Sequence, residues 1–315
     1  MARRLVSIEI TPSAIRGLCI AKQMGRHSLV DTFTLAATQG ESVADTVARI
    51  AATLEETHPS PDAVTICLDP GQALLQPLVF PFSDLNTIRD VARFELESLT
   101  PVSLEEYAWD VVPLPGAASQ QQQVLAILYP LETVLAWRDQ CQAYGLPLQR
   151  LTLQDLDLAF LQPRQNALPS LLLSTDAHQS VILRFQNNRI LDYRPLPWGP
   201  AQCREDLEAI HALASETGDG CDGAPPIPLD VWQQSPSFVR WAQELTLSLA
   251  ATPTATDGTL CCLTKNAIPP GACDALGEQI GLPCAPFTPP LPERGLAECP
   301  APFTALAASL TGREW

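Results

Sequence analysis

One order of elements occurs twice in this chain, and it narrows the fold more than any other feature. Arg4 to Ile10 alternates, with Val6, Ile8 and Ile10 on one face, and turns at Thr11-Pro12-Ser13. Ala14 to Ala21 reads as a second strand, Gly25 lies in the turn that follows, and Ser28 to Leu35 reads as a third. Ser42 then caps a helix to about Thr57, whose Val43, Val47, Ile50, Ala51 and Leu54 recur at helical spacing. Pro59 and Pro61 close it before a short buried strand, Ala63 to Leu68. In the second half, Leu171 to Ser174, Val181 to Phe185 and Arg189 to Leu196 read as three strands, the last two joined by a tight turn at Asn187-Asn188. Helices over 200–215 and 230–250 follow, separated by a Gly-, Pro- and Asp-rich loop over 217–228. Leu260 to Leu263 is a strand, Cys273 to Ile280 a helix ended by Gly281, and Pro302 to Leu310 a last short helix.

Two copies of strand-strand-strand-helix-strand imply an α/β protein with duplicated lobes, the architecture shared by actin, sugar kinases and Hsp70. The repeat lies in topology, not in residue identity. Between the copies, a helix from Asp84 to Leu99, strands Tyr107 to Val112 and Val124 to Leu128, a helix Leu131 to Tyr144 and a strand Leu148 to Leu153 read as a small inserted αββαβ subdomain. On the helix from Asp84, the expected inward residues are Ile88, Val91, Phe94 and Leu99. The expected division is a first lobe over 1–76, the insert over 77–150 and a second lobe over 151–315, with part of the C-terminal segment returning to the first lobe.

Composition then excludes several function classes. With 35 acidic against 19 basic residues and a net charge of −16, the chain repels phosphate backbones and anionic lipid, so no nucleic-acid partner is expected. The apolar run after Arg3 and Arg4 is cut by Glu9, unlike a secretory signal, and no long apolar stretch spans a bilayer. A cytoplasmic location is expected. The ten cysteines contain no CxxC pair. Cys19, Cys67, Cys261 and Cys262 fall in strand-like runs as small hydrophobes, and no metal site is expected, although five cysteines after position 260 keep zinc as an alternative. His27, His58, His178 and His211 are scattered, and no nucleophile elbow occurs, so no catalytic residues are assigned. Trp232 and Trp241, nine residues apart, face different sides of one long helix, which leaves one of them a candidate for exposure, although core packing is the default for both.

Phe80-Pro81-Phe82-Ser83-Asp84, then Ile88-Arg89 and Phe94-Glu95-Leu96-Glu97, with Pro101 and Asp110, resembles a stretch of the PilM proteins of type IV pili and of the cytoplasmic part of the GspL proteins of type II secretion. Ile8-Glu9-Ile10, Tyr144-Gly145-Leu146, Arg194-Pro195-Leu196-Pro197-Trp198-Gly199 and Glu278-Gln279-Ile280-Gly281-Leu282-Pro283 extend that resemblance in order along nearly the whole chain. It implies an actin-like two-lobed fold. It also implies a scaffold whose partners are a bitopic inner-membrane protein similar to PilN or GspM and a secretion or pilus motor ATPase, and it leaves a homodimer open. PilM-like proteins hold a short N-terminal peptide of PilN against the inserted subdomain. Membrane association would then run through partners or through a transmembrane segment beyond Trp315.

The nucleotide motifs of that fold depart from pattern at three places. Phosphates are gripped by hairpin amides at glycines, beside an aspartate that organises the metal. Glu9-Ile10-Thr11-Pro12-Ser13 lacks the first glycine, and Pro12 removes a donor. Ser174-Thr175-Asp176 puts a carboxylate where glycine should meet phosphate, and Lys265-Asn266 replaces the glycine pair beside the adenosine. Lys265 reads as a solvated loop lysine, and no well-placed catalytic aspartate is legible. No cofactor and no catalytic turnover are therefore expected. The alternative is an ATP-binding, nucleotide-regulated adaptor with Ser13 and Lys265 as its contacts. For partner binding, Arg89, Arg93 and Glu97 recur every four residues on the helix from Asp84, a mixed-charge strip beside a strand edge that could hold an extended peptide. The competing view is that these ions simply pair within the protein.

Overall fold

The computed structural model describes residues 2–38, 40–57, 60–114, 121–160, 169–186, 189–214, 229–250, 259–265, 271–287, 296, 299 and 306. β1 (Arg3–Ile10), β2 (Ala14–Gln23) and β3 (Arg26–Ala36) form an antiparallel meander. α1 (Val43–Thr57) then crosses over and returns the chain as β4 (Ala63–Leu68), parallel to β1. The helix starts where Ser42 Oγ accepts the N–H of Asp45 at 3.2 Å. Next come β5 (Leu74–Phe80), α2 (Leu85–Leu99), β6 (Tyr107–Leu114), β7 (Gln122–Pro130), α3 (Leu131–Ala143) and β8 (Leu148–Leu153). The second half contributes β9 (Leu171–Thr175), β10 (Ser180–Gln186), β11 (Arg189–Leu196), α4 (Pro200–Ala214), α5 (Leu229–Trp232), α6 (Pro236–Ala250), β12 (Leu260–Thr264), α7 (Ala272–Ile280) and β13 (Cys284–Pro286).

The two large sheets run β3-β2-β1-β4-β8 and β11-β10-β9-β12-β13, the same order strand for strand. Each sheet is covered on both faces, which is why β1 and β9 are buried almost end to end. Along β1, Val6 and Ile8 enter a core with Val47, Ile50 and Leu54 of α1. Leu5 points the other way, into a cluster with Leu18, Ile20, Ala63, Leu296, Cys299 and Leu306, so part of the C-terminal segment covers the outer face of the first lobe. Burying each such aliphatic side chain contributes about 1.5–3 kcal/mol.

Four local expectations are revised. β5 contains Pro77, which hid it in the sequence; it is an edge strand of the small sheet β5-β7-β6, where a missing N–H is tolerated. β8 pairs with β4, so it lies in the first lobe's sheet rather than with the insert, and α3 packs on α1 as well as on β6 and β7. The helix expected over 230–250 is broken, because Pro236 cannot continue α5 and instead opens α6. Ser235 Oγ caps the new start by accepting the N–H of Phe238 at 3.0 Å. Trp232 and Trp241 are both fully buried, in keeping with the default of core packing. On α2, the buried stripe is Ile88, Ala92 and Leu96; the small Ala92 lets the helix approach the sheet, and Phe94 and Leu99 face outward. The expected turn at Asn187-Asn188, the loop over 217–228, Asn266 and all of 302–310 except Leu306 lie outside the described residues. Among the described residues, no helix is long and apolar enough to cross a membrane.

Candidate functional site

Ligands of open α/β sheets bind beyond the carboxyl ends of parallel strands. Here the two lobes bring four charged side chains to those ends: Glu9 on β1, Asp155 just after β8, Asp176 just after β9 and Lys265 just after β12. Arg16 joins them from β2, and all five are at most 4% exposed. Lys265 Nζ lies 2.5 Å from Glu9 Oε1 and 2.7 Å from Asp155 Oδ1. Arg16 donates from Nη1 to Glu9 Oε2 and from Nη2 to Asp176 Oδ1, each at 2.9 Å. Ser13 Oγ donates to Asp176 Oδ2 at 3.0 Å. Lys265 is therefore not a solvated loop lysine, because it comes from the second lobe to neutralise two buried acids of the first.

The backbone is shaped around this network. Asp155 takes φ 60°, a left-handed conformation that aspartate tolerates better than most residues. The preceding Gln154 accepts an N–H from Gln179 through its side chain at 2.6 Å, and its carbonyl accepts the hydroxyl of Tyr193 at 2.6 Å, two more ties between the lobes. Gly199, in the segment Pro197-Trp198-Gly199, sits against the turn that carries Asp176. A Cβ there would come within 2.6 Å of the carbonyl oxygens of Asp176 and Ala177. The same contact lets Ala201 N–H donate to Ala177 O at 2.7 Å.

Burial and pairing pull the ionisations in opposite directions. For Glu9, desolvation outweighs the attraction of Lys265 and Arg16 and raises its pKa. Desolvation also opposes the charge on Asp176, but Arg16 and the hydrogen bonds from Thr11 and Arg16 win, and its pKa falls. Lys265 loses hydration, yet Asp155 and Glu9 more than compensate, and its pKa rises. With all five ionised, the three carboxylates exceed the two cations by one charge. A triphosphate entering this space would have to displace Glu9, Asp155 and Asp176 from the cations paired with them. The two contacts of the nucleotide alternative, Ser13 and Lys265, are both engaged in these internal bonds. Asp155 escaped the sequence reading; its signal was an acid two residues past the strand Leu148–Leu153.

A second site opens between the insert and the first lobe. A cavity of about 350 Å³ is walled by β6 on one side and β8 on the other. Each is the terminal strand of its sheet, so each carries one edge without a strand partner among the described residues. The lining is mostly apolar, with Leu68, Trp109, Ile127 and Val134, and it holds the charged groups Asp110, Arg150 and Asp157. Arg150 forms an ion pair with the buried Asp157. Burial raises the Asp157 pKa against the pull of Arg150.

Of the three partner-binding candidates, Arg89 reaches this cavity's rim through its bond from Nε to Asp110 Oδ1 at 2.9 Å. Arg93 and Glu97 pair with each other at 3.0 Å, both half exposed, and do not line the cavity. Trp109, Arg150 and Asp157 were not singled out in the sequence, because their convergence depends on two sheets meeting.

No model of a protein family matches this chain, and no curated protein matches it in sequence. Among solved structures, it is similar to a PilM–PilN type IV pilus biogenesis complex, with a TM-score of 0.77 at 18% identity over 99% of each chain. It is also similar to the cytoplasmic domain of EpsL, an inner-membrane component of the type II secretion system of Vibrio cholerae, with a TM-score of 0.53 at 12% identity over 99% of this chain and 96% of that one. A Bacteroides thetaiotaomicron protein with an actin-like ATPase fold scores 0.50 at 11% identity, over 99% and 96%. The chain has the actin-like fold, and the likeness falls on the two kinds of protein that the sequence resembles.

Proposed function

We propose that this chain is a non-catalytic scaffold of a type IV pilus or type II secretion inner-membrane platform. It holds an extended cytoplasmic segment of a PilN-like membrane protein in the groove between β6 and β8. One observation carries this reading: two sheet edges face a common, mostly apolar cavity of about 350 Å³. An extended peptide adds to such edges through its backbone, and the pockets beside them select side chains. Trp109 and Ile127 offer apolar contacts, while Arg150, Asp157 and Asp110 fix polarity and register. The cleft supports the non-catalytic half of the proposal, since its phosphate-facing positions are filled by the chain's own carboxylates and their cations. The cytoplasmic location and the docking of a motor ATPase belong to the same proposal, and the outward-facing Phe94 and Leu99 on α2 are available to a second partner.

The test is calorimetric titration of the full chain with a synthetic peptide of the N-terminal cytoplasmic tail of a PilN-like protein from the same genome. Trp109→Ala and Ile127→Arg are each expected to weaken binding at least tenfold, about 1.4 kcal/mol or more. Undiminished affinity in both variants, with folding intact, would remove the groove from the proposal.

A further inference from the structure

β6 and β8 meet the same cavity, but their open edges are not equivalent. Pro113 of β6 lies opposite Val124 of β7 and has no N–H, so these two residues cannot exchange a pair of ladder bonds. The alternation of an antiparallel ladder then turns the backbone groups of Tyr107, Trp109 and Val111 outward as well. Two of those three amides are already engaged. Tyr107 N–H donates to the Leu104 carbonyl, and Val111 N–H donates to Asp110 Oδ1 at 2.8 Å. Arg89 holds that aspartate in place by donating from Nε to the same oxygen at 2.9 Å. Among the described residues, β6 thus keeps one open amide, at Trp109, too few for a ladder. The far edge of the small sheet is closed in a similar way, since Pro77 of β5 has no N–H and its carbonyl accepts Gln76 Nε2 at 3.3 Å.

β8 is different. Gln154 N–H donates to Leu68 O of β4 at 3.0 Å, so Thr152 and Arg150, two and four residues earlier, also face β4 through their backbone. Leu151 and Leu153 therefore turn their N–H and C=O groups away from β4, and both residues line the cavity. No other backbone group meets them there among the described residues. Their side chains alternate too. Leu151 and Leu153 join the first-lobe core beside Val134, while Thr152 turns to the other face and donates from Oγ1 to Asp157 Oδ1 at 3.4 Å. Arg150 lies on that second face and is ion-paired with Asp157, yet its Nε is buried without a hydrogen-bond acceptor. A buried donor of this kind favours an oxygen brought in by a ligand.

We propose, building on the groove reading above, that the guest segment pairs with β8 alone and becomes the sixth strand of the five-stranded first-lobe sheet. Its backbone bonds Leu151 and Leu153, and β6 serves as a wall of side chains rather than as a template. The segment's side chains alternate accordingly. Apolar ones lie with Leu151 and Leu153, and an oxygen-bearing one between them accepts from Arg150 Nε.

The experiment follows amide hydrogen exchange by NMR in the full chain, with and without the synthetic peptide of the PilN-like tail. The Leu151 and Leu153 amides are expected to exchange at least about tenfold more slowly in the complex, and the Val111 amide to change by less than about twofold. Leu151→Pro removes one outward N–H from an edge strand and leaves the bonds to β4 in place, a setting in which proline is tolerated. It should weaken calorimetric binding about tenfold or more. A peptide that binds while Leu151 and Leu153 exchange as before, or that protects Trp109 in their place, overturns the assignment to β8 and leaves the groove standing. Undiminished binding to Leu151→Pro overturns the assignment too. A peptide that fails to bind the unaltered chain overturns the groove reading, and the assignment falls with it.

Discussion

Replacing Lys265 with methionine removes the cation that lies 2.5 Å from Glu9 and 2.7 Å from Asp155, at a side chain with no solvent exposure. At an effective dielectric near 20, each of those contacts is worth roughly 6 kcal/mol before desolvation is counted, and burial of the ions offsets much of that. The carboxylates left behind can escape by taking up protons. At pH 7 this costs about 1.4 kcal/mol for each unit above the ordinary carboxylate value near 4, or about 4 kcal/mol for each acid that must be neutralised. The expected loss of stability is therefore about 3–5 kcal/mol at pH 7, in line with other broken buried pairs. At pH 5 proton uptake is easier by about 2.7 kcal/mol per acid, so the loss should shrink to about 1–2 kcal/mol. Lys265 itself does not confuse the comparison: its raised pKa gives a contribution that is complete below its ordinary value near 10.4 and is lost only as pH rises through the raised one. Urea unfolding followed by far-UV circular dichroism at the two pH values measures the difference. A loss below about 1 kcal/mol, equal at both, would mean that Lys265 does not neutralise buried acids, and the reasoning about the cleft would fail with it.

Two further outcomes follow from the same geometry. Because the Asp176 pKa is depressed in the folded chain, its contribution is present above the ordinary aspartate value near 3.9 and disappears as pH falls through the depressed one. Asp176→Asn should therefore lower the melting temperature above pH 4 and flatten its decline below, as read from thermal scans across pH 3–7. Gly199→Ala should cost about 1–3 kcal/mol, since the new methyl meets two carbonyl oxygens at 2.6 Å, and calorimetric melting would show a drop of several degrees.

Periodicity and punctuation carried the lobes. The twice-used order survives as identical strand orders in two sheets, and the caps at Ser42 and Asp84 stand where the sequence put them. What failed to read locally failed for local reasons. Pro77 argues against a strand unless the strand is known to lie at an edge, and Pro236 argues for a break only once Ser235 is seen to cap it. Phe94 and Leu99 satisfy a helical stripe as well as Ala92 does, and only the packing of Ile88, Ala92 and Leu96 against the small sheet decides between them. The cleft was half legible. Glu9, Asp176 and Lys265 stood out as departures from a phosphate site, but nothing in one dimension says that they touch, since 256 positions separate Glu9 from Lys265.

An anion-binding cleft can be retired by removing its donors or by giving it an internal anion, and the two have different mechanical consequences. Removing donors leaves a hinge that still opens and closes. Here the replacement acids come with cations from across the cleft, so separating the lobes pulls Lys265 from Glu9 and Asp155, and Arg16 and Ser13 from Asp176. Several short buried ion pairs and hydrogen bonds must break together before water can reach the separated charges, so the opening starts at a high cost. Wide hinge opening is thus closer to unfolding than to a working motion. The groove between β6 and β8 lies on one side of this weld, within the first lobe and its insert, so a segment can enter it without any movement of the second lobe. Substrate-driven closure needs a cheap hinge; the proposed holding of a partner at a fixed angle needs an expensive one, and the buried ions would supply it.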